Sequence, residues 1–316
     1  MLDSKLKLFA GSSHPQLAAA ISKLLKMPLS PLDIRRFASQ EIYAKPIDSV
    51  RNADVFVIQT GTQNVNEDMM ELFILLDSFK RSFSSHIHVV MPYFPYARQD
   101  RVATPREPIT AKLMADLLSK AGANHLITFA LHSDQEQGFF DFPVDNLHAR
   151  QLFADYFAKK KLQNLTIVAP DVGSAKEAAR LAKMLNAELA ILNKVRPRHN
   201  VSEVTHIVGT VEGRTCILYD DLVDTAGSVA NGAAALRKNG AGKDIYLAAT
   251  HPVLSLDAVK KLRGAKFKEI VFTDTIPLEA AKKLPNIKIL SIAPLLAEVI
   301  KNVSTGKPLS PLINKM

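Results

Sequence analysis

The sequence predicts an α/β protein made of two doubly wound domains, each built on a mostly parallel sheet. Short apolar, β-branched runs alternate along the chain with segments in which apolar residues recur at helical spacing, and this alternation is typical of α/β folds. The length of 316 residues exceeds the size at which one hydrophobic core usually divides into two. The number of strand-like runs also suits two sheets.

The predicted elements follow one another in regular order. Predicted strands cover residues 6–9, 55–60, 87–92, 126–129, 166–169, 215–219, 245–250 and 269–273. Predicted helices cover residues 15–26, 66–83, 110–121, 174–185 and 229–239. Strands separated by helices in this way indicate parallel pairing.

A weak internal repeat supports the division into two domains. Residues 8–25 (LFAGSSHPQLAAAISKLL) resemble residues 168–185 (VAPDVGSAKEAARLAKML) in their order of strand, loop and helix. A duplication explains the likeness, although alanine-rich helices alone also produce such a likeness. We expect domains at 1–147 and 148–316, with the loop-like last residues packing back on the first domain.

The composition indicates a cytoplasmic protein. Cys216 is the single cysteine, which excludes a disulfide framework and a thiolate zinc site and fits a reducing compartment. Residues 1–10 alternate like a strand and lack the apolar core of a signal peptide. No stretch of the sequence approaches the roughly 20 apolar residues that cross a bilayer.

The formal net charge of +9 indicates anionic partners. The chain has no Trp, and its Phe and Tyr residues do not interleave with basic residues as they do in single-strand-binding proteins. Lys and Arg are dispersed rather than gathered in a tail. We therefore expect phosphorylated metabolites as partners, and neither nucleic acid nor membranes.

Residues 215–228 (TCILYDDLVDTAGS) join an apolar strand to acidic residues and to a turn that opens a helix. In open α/β sheets, ligands bind beyond the carboxyl ends of the strands. Asp220 and Asp224 can accept hydrogen bonds from the vicinal hydroxyls of a ribose or help to hold a metal. Alternatively, the acidic pair is a solvated strand end and Asp224 caps the helix. The adjacent carboxylates of Asp220 and Asp221 favour a ligand site, because they repel one another unless cations or hydroxyl donors satisfy them.

The turn in this segment has the properties of a phosphate site. Backbone N–H groups at a turn and helix start bind anions, and the hydroxyls of Thr225 and Ser228 add two donors. Gly227 allows the backbone to approach a ligand closely. The segment therefore predicts a site for a sugar phosphate.

This segment resembles the ribose-5-phosphate-binding signature of type I phosphoribosyltransferases and of ribose-phosphate pyrophosphokinases. Further matches favour the second family, and they lie at Leu6, Phe9, Ala10, Gly11 and residues 92–101, 105–109, 131–132, 137–141, 143–147 and 273–277. The resemblance implies domains of the type I phosphoribosyltransferase-like fold. It implies that ribose 5-phosphate is bound by Arg196, Asp220, Asp221, Asp224, Thr225, Ala226, Gly227 and Ser228.

The resemblance also implies an ATP site. A Walker A loop is excluded, because it would need a glycine where the sequence has Arg237. Arg98 and Gln99 match residues that contact ATP in the family. The family's adenine-binding loop is matched by Phe37, Ser39, Gln40 and Glu41. The family usually has Asp-Gly where this chain has Ser39-Gln40, which leaves the choice of base open.

The resemblance assigns a catalytic Mg²⁺, with Mn²⁺ as the alternative, to His132 and Asp171. Each of the two residues follows a strand-like run, and carboxylate oxygen suits magnesium. Taken alone, a His after a strand is more often structural. Two departures surround these residues: Ala130 replaces the usual Asp, and residues 172–174 (VGS) replace Ala-Gly-Gly, which restricts the backbone.

Residues 192–203 (LNKVRPRHNVSE) are polar and predict a mobile loop beside an apolar strand. Lys194 and Arg196 match the family's catalytic cations, whose task is to close over the substrates and neutralise charge during transfer. The resemblance implies transfer of the pyrophosphoryl group of ATP to the anomeric hydroxyl of ribose 5-phosphate, giving phosphoribosyl pyrophosphate and AMP. It also implies a homohexamer built from dimers, with ATP at a contact between subunits.

Two alternatives stay open. The departures at Ser39-Gln40, Ala130 and residues 172–174 are compatible with a catalytically weak paralogue that assembles with an active enzyme. Five retained residues speak against it, namely His132, Asp171, Lys194, Arg196 and Asp220. A phosphoribosyltransferase that consumes the product fits residues 215–228. That alternative leaves Arg98, Gln99 and the first half of the chain unexplained.

Overall fold

The computed structural model describes the backbone of residues 6–198 and 201–313, and the side chains of these residues except 194–198, 201–205 and 313. The chain divides into two compact units. The first unit comprises Met1–His148, Thr275–Pro277 and Ser291–Met316, and the second comprises Ala149–Asp274 and Leu278–Leu290. The chain therefore passes between the units more than once.

Strands and helices alternate through both units. The strands are β1 (Leu6–Ala10), β2 (Leu32–Arg36), β3 (Ile42–Pro46), β4 (Asp54–Ile58), β5 (His86–Val90), β6 (His125–Phe129), β7 (Val144–Leu147), β8 (Leu165–Ala169), β9 (Glu188–Arg198), β10 (Val201–Val208), β11 (Thr215–Val223), β12 (Ile245–Pro252), β13 (Glu269–Thr273) and β14 (Ile287–Leu290). The helices are α1 (Pro15–Leu25), α2 (Val65–Arg81), α3 (Thr110–Ala121), α4 (Arg150–Ala158), α5 (Ala175–Met184), α6 (Gly227–Lys238), α7 (Ala258–Gly264), α8 (Ala293–Ser304) and α9 (Ser310–Ile313). None of the described helices is long and apolar enough to cross a membrane.

The first unit contains a parallel sheet in the order β1, β4, β5, β6, β7. Val55 and Val89 of this sheet share a fully buried core with Leu72, Leu76 and Phe79 of α2. Burial of a side chain of this size stabilises the fold by about 1.5–3 kcal/mol. β2 and β3 form a separate antiparallel hairpin, and β3 lies against α2.

The second unit contains a sheet in the order β10, β9, β8, β11, β12, β13, β14. Neighbouring strands run parallel except β9 and β10, which are antiparallel. From β8 the chain first adds β9 on one side and then returns to place β11 on the other side. Such a reversal of strand order opens a crevice at the carboxyl ends of the two strands, and ligands of open α/β sheets bind there.

The structure confirms the α/β class and every strand and helix predicted from the sequence. The prediction of a mobile loop at residues 192–203 is wrong for the described backbone, because β9 continues to Arg198 and β10 begins at Val201. The two strands pair with Val204 opposite Lys194 and Ile207 opposite Leu192. Polar residues can form this strand pair because β10 lies at the edge of the sheet. An edge strand does not need apolar residues at alternate positions to face a core.

The last residues also differ from the expectation of a loop-like segment. Helix α8 reaches Ser304, and α9 follows at Ser310–Ile313. Leu296, Val299 and Ile300 lie on the buried face of α8, and α8 packs against α1. The helical spacing of these apolar residues therefore decides the structure of the segment.

Gly209 should be required for the pairing of β9 with β10. Its φ is +103°, and an added Cβ would lie 2.5 Å from the Leu189 carbonyl oxygen and 2.9 Å from Ala190 Cα. We expect Gly209→Ala to lower the free energy of unfolding by roughly 2–4 kcal/mol, because both the backbone conformation and the contact become unfavourable. Thermal unfolding followed by circular dichroism measures this change.

Gly264→Ala is the matched control. Gly264 ends α7, and an added Cβ there would meet no atom within 4 Å. Alanine at a helical position is favoured over glycine by roughly 0.5–1 kcal/mol, so this variant should melt at or slightly above the wild-type temperature. Equal melting temperatures for the two variants would contradict the role assigned to Gly209.

Candidate functional site

Three carboxylates interact at the crevice between β8 and β11. Asp171 lies just beyond the end of β8, and Asp220 and Asp221 lie in β11. Burial raises the pKa of Asp220 well above its usual value, and the neighbouring carboxylates of Asp221 and Asp171 raise it further. A cation or hydroxyl donors would stabilise the charged form of these groups. The crevice is therefore suited to a metal-bound or hydroxyl-rich ligand.

The donor atoms at this crevice fit magnesium that also binds substrate oxygens. Magnesium prefers oxygen ligands and usually keeps water or phosphate oxygens among them. Within the described part of the chain, no group of three or more His, Cys, Asp or Glu side chains is arranged to hold a metal ion by itself. The carboxylate of Asp171 can thus supply one oxygen ligand of a magnesium site, in which water or phosphate oxygens would complete the coordination.

Strand β11 continues past its pairing with β8 and stays paired with β12. The β8 pairing runs from Thr215 to Leu218, whereas the β12 pairing continues to Val223, opposite Pro252. This extension carries the chain directly to Asp224 and the turn that follows. The neighbouring strand β12 therefore fixes where the turn begins.

The turn before α6 has open space in front of its backbone. An added Cβ on Gly227 would have only Thr225 Oγ1 within 4 Å, at 3.8 Å, among the described atoms, and Ser228 is exposed. The N-cap residue of α6 is Ala226, which has φ +58° and provides no capping hydrogen bond. N–H groups of the first helical turn are therefore directed at this space. Ala226 thus has the left-handed backbone conformation in this turn, although alanine rarely adopts it.

The turn around Asp171 is held by Ser174. Asp171 Oδ1 accepts hydrogen bonds from the Ser174 N–H at 3.2 Å and from the Ser174 hydroxyl at 3.3 Å. Ser174 has φ −86° and ψ −1°, a conformation that any L-residue adopts. The replacement of a usual glycine by Ser174 therefore does not strain this turn.

The predicted adenine-binding residues lie in the exposed turn of the β2–β3 hairpin. The ring of Phe37 is 50% exposed and meets the Tyr43 ring edge to face at 5.7 Å. The Ser39 hydroxyl donates to Glu41 Oε2 at 2.6 Å, and Gln40 has φ +71°. The turn presents one aromatic face and a carboxylate oriented by a serine, which can recognise a planar base.

The predicted ATP residues Arg98 and Gln99 follow β5 and are both exposed. The Gln99 N–H donates to the Tyr96 carbonyl at 2.9 Å, and Tyr96 has φ +64°. Gln99 Oε1 accepts from the Thr110 hydroxyl at 2.5 Å. The segment is thus a folded turn in front of α3, which holds the Arg98 guanidinium at the surface.

Both predicted ATP-binding segments are attached to the first turn of α2. Arg36 at the end of β2 forms an ion pair with Glu67. The Tyr96 hydroxyl donates to Asn66 Oδ1. Because Asn66 and Glu67 are adjacent, one helical turn orients the hairpin and the Arg98-Gln99 segment together.

His132 lies in the first unit and is exposed. The chain leading to it is held by backbone N–H groups: Ala130 donates to the Leu147 carbonyl at 2.8 Å, and Leu131 donates to Asn146 Oδ1 at 3.1 Å. Ala130 has φ +40°. These hydrogen bonds do not use a side chain at position 130, so the replacement of the usual Asp by Ala leaves the local fold of this segment intact.

Glu136 was not singled out from the sequence, yet it is fully buried near His132. Its Oε1 accepts from the Ser133 N–H at 2.8 Å, and its Oε2 has no hydrogen-bond partner among the described atoms. Burial raises the pKa of Glu136 to about 7; Ser133 and His132 oppose the rise, and Asp100 adds to it. Sequence reasoning missed it because an isolated Glu in a short polar segment gives no sign of burial.

Lys194 and Arg196, the predicted catalytic cations, belong to β9. Their side chains lie outside the described part of the structure. The assignment of Lys194 and Arg196 therefore stays a prediction. Their backbone position in a strand beside β8 is the part that the structure describes.

Comparison with known proteins identifies the family. Residues 6–122 match the family model of the N-terminal domain of ribose phosphate pyrophosphokinase, and residues 193–314 match that of the phosphoribosyl synthetase-associated domain. The ribose-phosphate pyrophosphokinase of Fusobacterium nucleatum is 44% identical over 313 residues, which cover 98% of this chain and 99% of that protein. The chain belongs to the ribose-phosphate pyrophosphokinase family.

Other members of the ribose-phosphate pyrophosphokinase family agree in length as well as in sequence. The protein of Wolinella succinogenes is 47% identical over 306 residues, which cover 97% of this chain and 98% of that protein. The crystal structure of phosphoribosylpyrophosphate synthetase from Mycobacterium smegmatis is similar with a TM-score of 0.90 at 39% identity, covering 96% of this chain and 100% of that chain. The fold predicted from the sequence is therefore confirmed over nearly the whole chain.

Ser255 is a second residue that sequence reasoning missed. Its hydroxyl donates to Asp224 Oδ1. The two residues lie 31 positions apart and meet because β11 and β12 are neighbours in the sheet. Residues that meet only through neighbouring strands leave no local pattern in the sequence, so this hydrogen bond could not be predicted from the sequence alone.

The buried Glu136 predicts a pH-dependent loss of stability. Its pKa of about 7 in the folded protein lies above the ordinary value of 4.5, so between these values the folded protein binds more protons than the unfolded chain. Stability therefore falls as pH rises through this range, by up to roughly 3 kcal/mol. We expect the melting temperature to fall more steeply from pH 5 to pH 8 in the wild type than in Glu136→Gln.

Differential scanning fluorimetry of both proteins in parallel measures this difference. The amide of Glu136→Gln keeps an acceptor for the Ser133 N–H and carries no charge. Glu298→Gln, on the exposed face of α8, is the control and should follow the wild type. If all three proteins show the same slope with pH, Glu136 is not the titrating group.

Proposed function

We propose that the protein is an ATP-dependent ribose-phosphate pyrophosphokinase, which transfers the pyrophosphoryl group of ATP to the anomeric hydroxyl of ribose 5-phosphate. The products are phosphoribosyl pyrophosphate and AMP. The observation that carries the proposal is the acidic crevice of the second unit, where Asp171, Asp220 and Asp221 interact beside the open turn of α6. A sugar phosphate needs hydroxyl acceptors next to phosphate-binding N–H groups, and this crevice offers both.

In the proposal, ribose 5-phosphate binds entirely to residues of the second unit. Its phosphate is bound by N–H groups and hydroxyls of the turn formed by Thr225, Ala226, Gly227 and Ser228. Its vicinal hydroxyls donate to Asp220 and Asp224, with Asp221 and Arg196 completing the site. The contribution of the structure to this assignment is the extension of β11 along β12, which aligns the acidic residues and the turn on one edge of the sheet.

ATP binds, in the proposal, to residues of the first unit. Phe37 stacks on the base, and Ser39, Gln40 and Glu41 contact its polar edge. Arg98 and Gln99 grip the phosphates, since a guanidinium forms paired hydrogen bonds with phosphate oxygens. Because Ser39 holds Glu41 through a hydrogen bond, this serine takes part in choosing the base.

Magnesium, with manganese as the alternative, is the proposed cofactor, and His132 and Asp171 are the residues proposed to hold it. When bound, the ion neutralises phosphate charge and orients phosphate oxygens. Asp171 suits this task because its carboxylate is fixed by Ser174 at the edge of the acidic crevice. The high pKa of Asp220 supports a cation at this crevice, since neighbouring positive charge restores the ionised form.

The reaction is an in-line displacement at the β-phosphorus of ATP. The anomeric oxygen of ribose 5-phosphate bonds to the β-phosphorus, and its proton passes to solvent. The bond between the β-phosphorus and the oxygen that bridges to the α-phosphorus breaks, so AMP leaves with that oxygen. The protein contributes positioning and charge stabilisation, as is general for phosphoryl transfer. Asp220 and Asp224 orient the sugar, while Lys194, Arg196 and Arg98 are proposed to stabilise the negative charge that develops.

A homo-oligomer, in the form of a hexamer built from dimers, is also part of the proposal. Ile109, Leu113 and Leu117 follow one another at single-turn spacing along α3 and are exposed by 38%, 51% and 38%. An apolar stripe of this kind on a surface helix is typical of a contact between subunits. The proposed location is the cytoplasm, and neither nucleic acid nor membranes are among the proposed partners.

The activity is tested by incubating the purified protein with ribose 5-phosphate, magnesium and ATP, GTP or CTP and following the nucleoside monophosphate by chromatography. We expect AMP formation that depends on ribose 5-phosphate. Asp220→Asn should lower kcat/KM by roughly 100-fold or more, because it removes an acceptor and charge from the site. Asp257→Asn, an exposed position at the start of α7, is the control and should retain activity.

If no triphosphate gives product with magnesium or manganese, the proposed activity is wrong, and a regulatory paralogue that assembles with an active enzyme takes its place. A preference for GTP or CTP would leave the transfer chemistry intact. It would locate the effect of Ser39-Gln40 in the choice of base.

The apolar stripe on α3 predicts the effect of a charge at its centre. Leu113→Lys should shift the molar mass toward smaller species in size-exclusion chromatography with light scattering, because a lysine is costly to bury in a subunit contact. Leu24→Lys is matched in exposure, since Leu24 of α1 is also 51% exposed, and it should keep the wild-type mass. A wild-type protein that is monomeric at all concentrations would contradict this part of the proposal.

A further inference from the structure

The segment after β12 binds the end of β11 at three points. The Leu254 N–H donates to the Val223 carbonyl at 3.0 Å, and the Ser255 N–H donates to the Asp224 carbonyl at 3.1 Å. The Ser255 hydroxyl donates to Asp224 Oδ1. Backbone and carboxylate of Asp224 are therefore both held by Ser255.

The backbone on each side of Ser255 is in an unfavourable conformation. Leu254 has φ +50° and Leu256 has φ +51°, a region in which bulky L-residues are rare. Leu254 compensates for this through burial, since it is 1% exposed, whereas Leu256 is 90% exposed. Packing of the Leu256 side chain therefore does not explain its conformation. Strain that persists without local compensation is commonly associated with a functional site.

The backbone conformation of Leu254 and Leu256 determines where Ser255 lies. The Ser255 carbonyl accepts from the Ala258 N–H at 3.1 Å, at the start of α7. Ser255 is thus held by β11 on one side and by α7 on the other. Its backbone is fixed by these contacts, and a hydroxyl carried on a fixed backbone limits the rotation of the carboxylate that accepts from it.

We propose that Ser255 is a positioning residue for ribose 5-phosphate, because it fixes the rotation of the Asp224 carboxylate that meets the sugar hydroxyls. This inference rests on the proposed function and deepens it. Ser255 acts through Asp224 and has no assigned contact with ATP. Loss of its hydroxyl should therefore weaken the use of the sugar and leave the use of ATP unchanged.

Steady-state kinetics of Ser255→Ala test the proposal. We expect the KM for ribose 5-phosphate to rise about 10-fold, which corresponds to one well-placed hydrogen bond. The KM for ATP and kcat should stay within about twofold of the wild type. Ser255→Thr keeps a hydroxyl and should restore much of the affinity for the sugar, which a purely structural role would not predict.

Ser22→Ala is the control for the loss of a partly buried hydroxyl. The Ser22 hydroxyl donates to the Met27 carbonyl at 2.6 Å, and neither residue belongs to a proposed binding site, so this variant should change the melting temperature without changing either KM. An unchanged KM for ribose 5-phosphate in Ser255→Ala, or equal rises in both KM values, would overturn the proposal.

Measurements on the wild type distinguish a failure of this inference from a failure of the proposed function. Isothermal calorimetry of ribose 5-phosphate with the wild type and with Ser255→Ala gives the affinity without turnover. Turnover by the wild type together with equal affinities would reject the role of Ser255 alone. A wild type that neither binds nor converts ribose 5-phosphate would reject both.

Discussion

The reversal of strand order between β8 and β11 is the constraint on which the candidate site depends. Parallel strands end at the same edge, and where the order reverses the following loops leave in opposite directions, so a crevice forms without a hole in the core. Asp171 and Asp220 come close only because of this reversal. In the first unit the strands of the described parallel sheet lie in chain order from β1 to β7, with no reversal. The predicted site residues of this unit lie on the β2–β3 hairpin and on surface turns.

In the proposed function, the two units use different structural means to bind their ligands. In the second unit, rigid strand ends and the backbone of a helix start are directed toward one small region, which suits a compact charged sugar. In the first unit, Phe37 and Arg98 lie in exposed segments that the first turn of α2 holds through Glu67 and Asn66. An extended nucleotide is suited to such separated contacts. These physical features of each unit are the basis of the proposed division of tasks.

The sequence predicts what local patterns determine. β11 with its acidic residues, and α6 after it, follow from an apolar run, paired carboxylates and a turn. Sequence reasoning failed where distant parts of the chain meet. The polar second half of β9 is extended because it pairs with β10, and Ser255 reaches Asp224 across neighbouring strands. It also failed where the backbone takes a conformation that the residue does not suggest, as at Ala226. The burial of Glu136 likewise depends on tertiary packing rather than on its neighbours in sequence.

The exposure of the β2–β3 turn has a consequence for the evolution of the chain. Residues 37–41 are all exposed, and surface substitutions change stability little. Selection for folding therefore restricts this turn weakly. If the turn contacts the base as proposed, base preference can diverge between lineages while the core stays the same. The carboxylates of Asp171, Asp220 and Asp221 are more restricted, because a change of charge at one of them alters the electrostatic energy of the others. Under the proposed function, mutation can thus alter the choice of nucleotide at little risk to folding.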